Sequence, residues 1–175
     1  LLIRIQRYND ANKICEQIYS MSSALKEDPQ NLHWFVLMNL ADYYSMNKDL
    51  SKTEQYLQEQ LSWLDSKKVP SYAEERGWVY NKLGIAYLNA KDFAKSKEML
   101  NKAEKNLVSI YGYQSKEYAT ILHNKGRLAY IEGQLKEAKQ YLEKSERIQI
   151  DLEGKAMERT TQYLDEVNKA INVRL

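Results

Sequence analysis

Residues 77–103 read GWVYNKLGIAYLNAKDFAKSKEMLNKA, and two other stretches of the chain repeat their pattern. In the same register, residues 34–60 read WFVLMNLADYYSMNKDLSKTEQYLQEQ and residues 119–145 read ATILHNKGRLAYIEGQLKEAKQYLEKS. The small residues Ala41, Gly84 and Gly126 occupy one place in the three stretches and lie 43 and 42 residues apart. A fixed period of this length indicates a repeat architecture, in which each unit buries its apolar face against its neighbours.

Each unit reads as two helices joined by a short polar turn. Apolar residues recur at offsets of three and four, as in Tyr80, Leu83 and Tyr87 of the first helix of the second unit. Asp49 and Asp92 follow the turns and are natural N-caps for the second helices. The pattern predicts an all-α fold, an α-solenoid of antiparallel helix pairs. Three units in register argue against the alternative, a helical bundle without repeats.

The small residues have a packing role in this prediction. Gly84 and Gly126 would let the first helix of a pair approach its partner closely, and Ser96 and Ala138 would do the same from the second helix. We therefore expect close helix crossings at these positions.

The pattern resembles the tetratricopeptide repeat (TPR). The second unit matches best, through Tyr80, Leu83, Gly84, Tyr87, Phe93, Leu100 and Ala103. The period of 42 residues resembles the longer, kinesin-light-chain-like class, which the third unit shows in Leu122-His123-Asn124, Gly133 and Glu137-Ala138. Lys125, Ala129, Lys48 and Lys91 depart from that pattern. The resemblance implies a right-handed superhelix.

The register divides the chain into repeats. We expect a single TPR-like domain over 1–175, with a partial repeat at 1–33, full repeats at 34–76, 77–118 and 119–160, and a half repeat at 161–175. Solenoids need polar capping helices, and Ile171, Val173 and Leu175 do not form one. We therefore expect the chain to be a piece of a longer protein.

Composition excludes several classes of function. The 175 residues carry 26 Lys and Arg against 24 Asp and Glu, so a net charge of +2 provides no basic field for nucleic acid. No apolar run reaches the length of a membrane span, so no membrane association is expected. Nothing in the sequence marks a compartment, and a cytoplasmic location is the default expectation.

The sequence also lacks the residue patterns of an enzyme. It has no phosphate-binding glycine loop, dinucleotide fingerprint or nucleophile elbow. His33 and His123 are too far apart in sequence to form a helix-borne zinc pair, and Cys15 stands in the slot filled elsewhere by Leu57 and Leu100. We therefore expect no enzyme, no catalytic residue, no metal and no cofactor.

The first helices of stacked pairs line a concave groove, where we expect the functional residues. The groove positions mix aromatic and Met side chains with amides and a few charges: Phe35, Met38, Asn39, Asp42, Trp78, Asn81, Lys82, Ile85, His123, Asn124, Arg127 and Tyr130. An Asn amide offers a donor and an acceptor to a peptide backbone. By resemblance to kinesin-light-chain-like repeats, Asn39, Asn81 and Asn124 would hold an extended peptide. Phe35 and Trp78 have an alternative role, packing between neighbouring repeats.

The predicted function is non-covalent. We expect a protein–protein interaction module that holds a peptide or partner segment in the concave groove. A regulatory or sensor segment of a larger signalling protein or enzyme is the alternative. Self-association through exposed end helices also stays open.

Overall fold

The computed structural model of the chain describes residues 2–22, 32–67 and 72–173. Over these ranges the chain forms helices and no strand, which confirms the predicted all-α fold. The helices are α1 (Leu2–Ser22), α2 (Leu32–Met46), α3 (Leu50–Ser66), α4 (Ala73–Asn89), α5 (Phe93–Tyr111), α6 (Lys116–Ile131), α7 (Leu135–Glu153) and α8 (Glu158–Val173).

The chain forms two compact units, Leu1–Pro70 and Ser71–Leu175. In the first unit α2 packs against both α1 and α3. In the second unit each of the helices α4 to α8 packs against the next, and α6 also contacts α4 and α8. The parts of the predicted repeats 1–33, 34–76 and 161–175 that fall on residues 1, 23–31, 68–71 and 174–175 lie outside the described residues.

The turns inside the helix pairs form as predicted. The side chain of Asp49 accepts a hydrogen bond from the backbone nitrogen of Lys52 at 3.0 Å, and that of Asp92 accepts one from Lys95 at 3.1 Å. Both aspartates are therefore the N-caps of their helices. The preceding Lys48 and Lys91 have φ values of 60° and 63°, a left-handed conformation that favours glycine.

Close crossings join the helices of each pair in the second unit. A Cβ atom on Gly84 would lie 2.8 Å from Cγ of Leu100, and one on Gly126 would lie 2.6 Å from Cγ of Leu142. The Ser96 hydroxyl donates to the Gly84 carbonyl at 2.8 Å, so α4 and α5 also share a buried hydrogen bond. The expected role of these small residues is confirmed by this geometry.

The core of the second unit runs between the helix layers. Leu88 of α4, Leu100 of α5 and Leu128 of α6 form one buried cluster. A similar buried cluster joins three helices nearer the end of the unit, where Leu164 and Val167 of α8 pack against the α6–α7 pair. The outcome is that α4, α6 and α8, the first helices of successive pairs, lie side by side.

Candidate functional site

The first helices of the second unit present one continuous surface, because α6 contacts both α4 and α8. We call the side formed by these three helices the first-helix face. Helices α4 and α6 contain eight of the residues predicted to line the groove, and these differ in whether they reach the face, namely Trp78, Asn81, Lys82, Ile85, His123, Asn124, Arg127 and Tyr130.

Two of the predicted peptide-binding amides bond to each other. The Asn124 amide nitrogen donates to the side-chain oxygen of Asn81 at 2.8 Å, and the two side chains are only 4% and 5% exposed. No other hydrogen bond involves either side chain within the described part of the chain. The pair joins α4 to α6, so these amides are less accessible to a ligand than the sequence suggested.

His123 lies in the core of the second unit and is 2% exposed. The Gln149 amide donates to the Thr160 hydroxyl oxygen at 3.2 Å. The Thr160 hydroxyl is also hydrogen-bonded to Nδ1 of His123, 3.1 Å away, and can donate to that nitrogen when the imidazole is neutral. This arrangement suits a neutral imidazole. Burial, together with the charges of Arg159 and Arg127, lowers the pKa of His123 to about 4.

The bonds of Gln149 extend this buried network to the turn before α8. Its amide nitrogen also donates to the Ser145 hydroxyl at 2.9 Å, and its oxygen accepts from the backbone nitrogen of Met157 at 2.8 Å. The Ser145 hydroxyl donates to the carbonyl of Ala119 at 2.7 Å. The polar residues around His123 thus join α8 to α6 and α7, so His123 has a structural role and, being buried, does not present a surface to a ligand as the sequence predicted.

Arg127 lies on the first-helix face with its charge unpaired. The guanidinium carbon is 5.4 Å from the ring centroid of Tyr163, and Nε is buried without a hydrogen-bond partner. Within the described residues no carboxylate lies within ion-pair distance of this side chain. Stacking on an aromatic ring restrains a guanidinium and leaves its edge donors available.

An open pocket adjoins this arginine. Its lining residues come from α6 and α8 and are Tyr130, Glu166, Lys169, Ala170 and Val173. The Tyr130 ring meets that of Tyr163 edge-on, with 6.2 Å between centroids. Arg127 and Tyr130 therefore both contact the ring of Tyr163, which brings these two predicted residues together.

The α4 residues on this face differ in accessibility. Trp78 is half-buried and packs against the core cluster of Ala103, Leu107 and Ile121. This contact favours the packing role that the sequence left open for Trp78. Lys82 and Ile85 are half-buried at the surface.

The first unit holds the other four predicted residues on α2. Phe35 is 52% exposed and Met38 is half-buried. Asn39 and Asp42 are exposed and line a hollow between α1 and α2, together with Asn12, Cys15, Tyr43, Ser45 and Met46. Cys15 is half-buried beside this hollow, and burial raises the pKa of its thiol.

Sequence reasoning missed Tyr163 as a partner of Arg127. Its repeat position matches that of Ile121, a buried apolar residue. The register therefore predicted that the residue at position 163 packs in the core, and it did not indicate that Arg127 would stack on it. The side-chain oxygen of Asn12, buried without a partner beside the first-unit hollow, was also missed. Only the spatial approach of α1 to α2 reveals it.

Among the described helices none combines the length and apolar content needed to cross a bilayer. The same residues contain no cluster of His, Cys, Asp and Glu side chains that could hold a metal ion.

Comparison with known proteins adds a family match. Residues 75–151 match the family model described as tetratricopeptide repeat. No curated protein matches the chain in sequence. The matched range covers α4 to α7, which form the two helix pairs with the close glycine crossings.

Solved structures share the fold. BtubC (BKLC) from P. vanneervenii superimposes with a TM-score of 0.79 at 17% identity, covering 97% of this chain and 68% of its own. A Podosopora anserina structure of nearly identical TPR-like repeats, of the kinesin light chain type, gives a TM-score of 0.75 at 18% identity over 98% of this chain and 82% of its own. The TPR resemblance read from the sequence is therefore confirmed. Repeats of this family generally mediate protein–protein contacts and are generally not enzymes.

Proposed function

We propose that the second unit, which contains the tetratricopeptide-repeat match at residues 75–151, binds an extended segment of a partner protein on the first-helix face. The observation that carries the proposal is the unpaired guanidinium of Arg127, stacked on Tyr163, whose ring also meets the pocket-lining Tyr130. A charged group that its own fold leaves without a counterion is suited to a ligand that brings one.

Arg127 favours a carboxylate in the ligand. A guanidinium offers its donors in a planar fork that matches the two oxygens of a carboxylate, and stacking reduces the conformational freedom lost on binding. On α8 the charges of Arg159 and Lys169 are offset by those of Glu158, Asp165 and Glu166, so the positive charge available to a ligand is that of Arg127. An acidic side chain of the partner segment is therefore the expected counterion.

Apolar contacts would come from both neighbouring helices. Tyr130 on α6 presents a ring to the pocket, and Ile85 on α4 lies half-buried on the same face. Aromatic residues with a partly exposed ring are common anchors of interfaces. In this proposal the Asn81–Asn124 bond holds α4 and α6 at the spacing that the ligand meets, and the remaining polar atoms of the two amides make at most minor contacts.

The test begins with a peptide array or display library screened against the whole chain. The best peptide is then titrated against wild type, Arg127→Gln and a matched control, Arg147→Gln, which removes an exposed arginine from α7. We expect Arg127→Gln to weaken binding by about tenfold or more, about 1.4 kcal/mol, and to reduce its salt dependence. Arg147→Gln should bind like wild type.

Two further variants test the mechanism. Arg127→Lys keeps the charge but loses the fork, so it should recover only part of the affinity. Ile85→Glu should weaken an acidic ligand from the α4 side. A peptide that binds wild type, Arg127→Gln and Ile85→Glu equally well, with all three proteins equally folded, shows that the first-helix face is not the binding surface.

A further inference from the structure

A narrow notch lies beside the turn that joins α6 to α7. Its walls come from α5, α6 and α7, and the residues that line it are Lys97, Asn101, Lys125, Leu128, Ala129, Glu132, Gln134, Glu137 and Tyr141. None of these is a residue predicted to line the groove, so a ligand bound here is independent of the proposed function. The free volume of the notch is about 20 Å³, little more than one water-sized group needs.

The other two helix pairs carry a tyrosine ring at the place of Ala129. Ala41 and Gly126 occupy one repeat position and lie 85 residues apart, and the same shift relates Ala129 to Tyr44. The second pair has Tyr87 there, 3% exposed, with Nζ of a lysine 5.0 Å from its ring centroid. The third pair therefore lacks a ring that the first and second pairs both bury.

Three neighbours hold the Tyr44 ring in the first unit. Its hydroxyl donates to the carboxylate of Glu16 and accepts from Nζ of Lys52 at 2.8 Å. The ring of Tyr56 stacks on it, with 5.7 Å between centroids and 22° between planes. A tyrosine at this repeat position thus has one stacking partner and two polar partners for its hydroxyl.

The third pair keeps a counterpart of each neighbour. The shift of 85 residues relates all three to residues that line the notch, Asn101 for Glu16, Glu137 for Lys52 and Tyr141 for Tyr56. An amide can donate to a hydroxyl oxygen, and a carboxylate can accept the hydroxyl hydrogen. The surroundings of a tyrosine side chain are therefore present here although residue 129 is an alanine.

We propose that the notch binds the side chain of a tyrosine presented by a partner protein. The incoming ring stacks on Tyr141, as Tyr44 stacks on Tyr56. Its hydroxyl donates to Glu137 and accepts from the amide of Asn101. A ring whose polar end finds hydrogen-bond partners on burial is a common anchor of protein interfaces.

Tyr141 has to turn for the ring to enter, because the notch is narrow with this side chain in its present position. Tyr141 is half-buried, packs against the clusters of Ala129 and Tyr118, and is hydrogen-bonded to Glu137. The stacked tyrosines of the first unit show that two rings fit at this place of the repeat when their planes are nearly parallel. Rotamer changes of this size are common when interfaces form. The Glu137 carboxylate has further lone pairs and can accept a second hydroxyl.

The charges around the notch favour an unmodified tyrosine. Of the two lining lysines, Lys125 is ion-paired with Glu104 and Lys97 is exposed at the rim. The two lining carboxylates are those of Glu132 and Glu137. A phosphate on the ligand would remove the hydrogen that Glu137 accepts and would place negative charge beside it, so phosphotyrosine should be disfavoured.

Titrations of the whole chain followed by NMR test the ligand. The probes are 4-methylphenol, which is the tyrosine side chain alone, and a blocked glycine–tyrosine–glycine peptide. Both should shift the amide signals of Ala129 and Tyr141 until they saturate. Toluene and the phenylalanine peptide should bind severalfold more weakly, because they lack the hydroxyl, and the phosphotyrosine peptide about tenfold or more. Failure of both phenols overturns the site, and 4-methylphenol binding without the tyrosine peptide overturns the protein ligand.

Variants locate the site. Ala129→Tyr supplies the ring from α6, as Tyr87 does from α4, so it should abolish binding and raise the melting temperature by about 2–4 °C. Glu137→Leu should remove the preference for 4-methylphenol over toluene. Glu146→Leu, a change of a half-buried residue of α7 outside the notch, is the matched control and should keep that preference. An Ala129→Tyr variant that melts below wild type, or a preference that survives Glu137→Leu, overturns the proposal.

Discussion

At the close crossing of Gly84, whether Gly84→Ala lowers or raises the free energy of unfolding should depend on the residue at position 100. In Gly84→Ala the new Cβ would lie 2.8 Å from both Cγ and Cδ2 of Leu100. Carbon atoms in favourable contact are about 3.5–4.0 Å apart. The Leu100 backbone nitrogen, at 3.4 Å, limits the retreat of α5. Overpacking of this kind costs roughly 1–3 kcal/mol, against a helix-propensity gain of up to about 1 kcal/mol.

We therefore expect Gly84→Ala to lower the free energy of unfolding by about 1–2 kcal/mol in urea denaturation. Leu100→Ala by itself should cost about 2–5 kcal/mol, because it leaves a cavity at a fully buried site. In that background the clash is absent, so Gly84→Ala should become neutral or stabilising. An equal cost of Gly84→Ala in both backgrounds would refute the steric account of this crossing.

Four further outcomes follow from the second unit. Asn81→Ala should cost about 1–3 kcal/mol, because it leaves the Asn124 amide buried and unpaired, and the double alanine variant should cost less than the sum of the single ones in thermal melts. His123 binds fewer protons folded than unfolded between pH 6.5 and about 4, so stability should fall by roughly 2–3 kcal/mol as pH drops through that window, and His123→Gln should remove this slope. Trp78→Ala should lose about 2–4 kcal/mol in urea denaturation, since the ring packs on core residues. Lys91→Gly should be neutral or slightly stabilising in the same assay, because it relieves a left-handed backbone.

The helix pairs were predictable because their signals are local. Asp49 and Asp92 cap their helices as expected, since a cap depends on residues three apart. Gly84 and Gly126 marked the crossings because only a missing side chain allows so close an approach. Periodicity and register therefore determined the elements and the pairing of neighbours.

The burial and the bonding partners of the site residues were less predictable, because they depend on the distances between helices. The register placed Asn81 and Asn124 on one face, but only the spacing of α4 and α6 brings the two amides within hydrogen-bond distance. In strict register Asn81 matches His123, so the bond runs diagonally between repeats and no single repeat contains it. The same holds for Arg127, whose stacking partner Tyr163 comes from the following repeat.

Comparison of the repeats with one another separates scaffold from surface. At the buried crossing the second and third pairs keep glycine against leucine, because any change there must be matched across two helices. At the register position of Arg127, by contrast, the first helices carry Asp42, Ile85 and Lys169. Between α4 and α6 this position changes from Ile85 to Arg127 while the adjacent crossing residue remains glycine, so the residue there is not determined by the packing of the pair. Along α4, α6 and α8 this position runs from apolar to basic, so a bound segment would place an apolar part over α4 and its acidic part over α6 and α8. In the proposed complex, these residues would therefore determine which part of the bound segment lies over which helix.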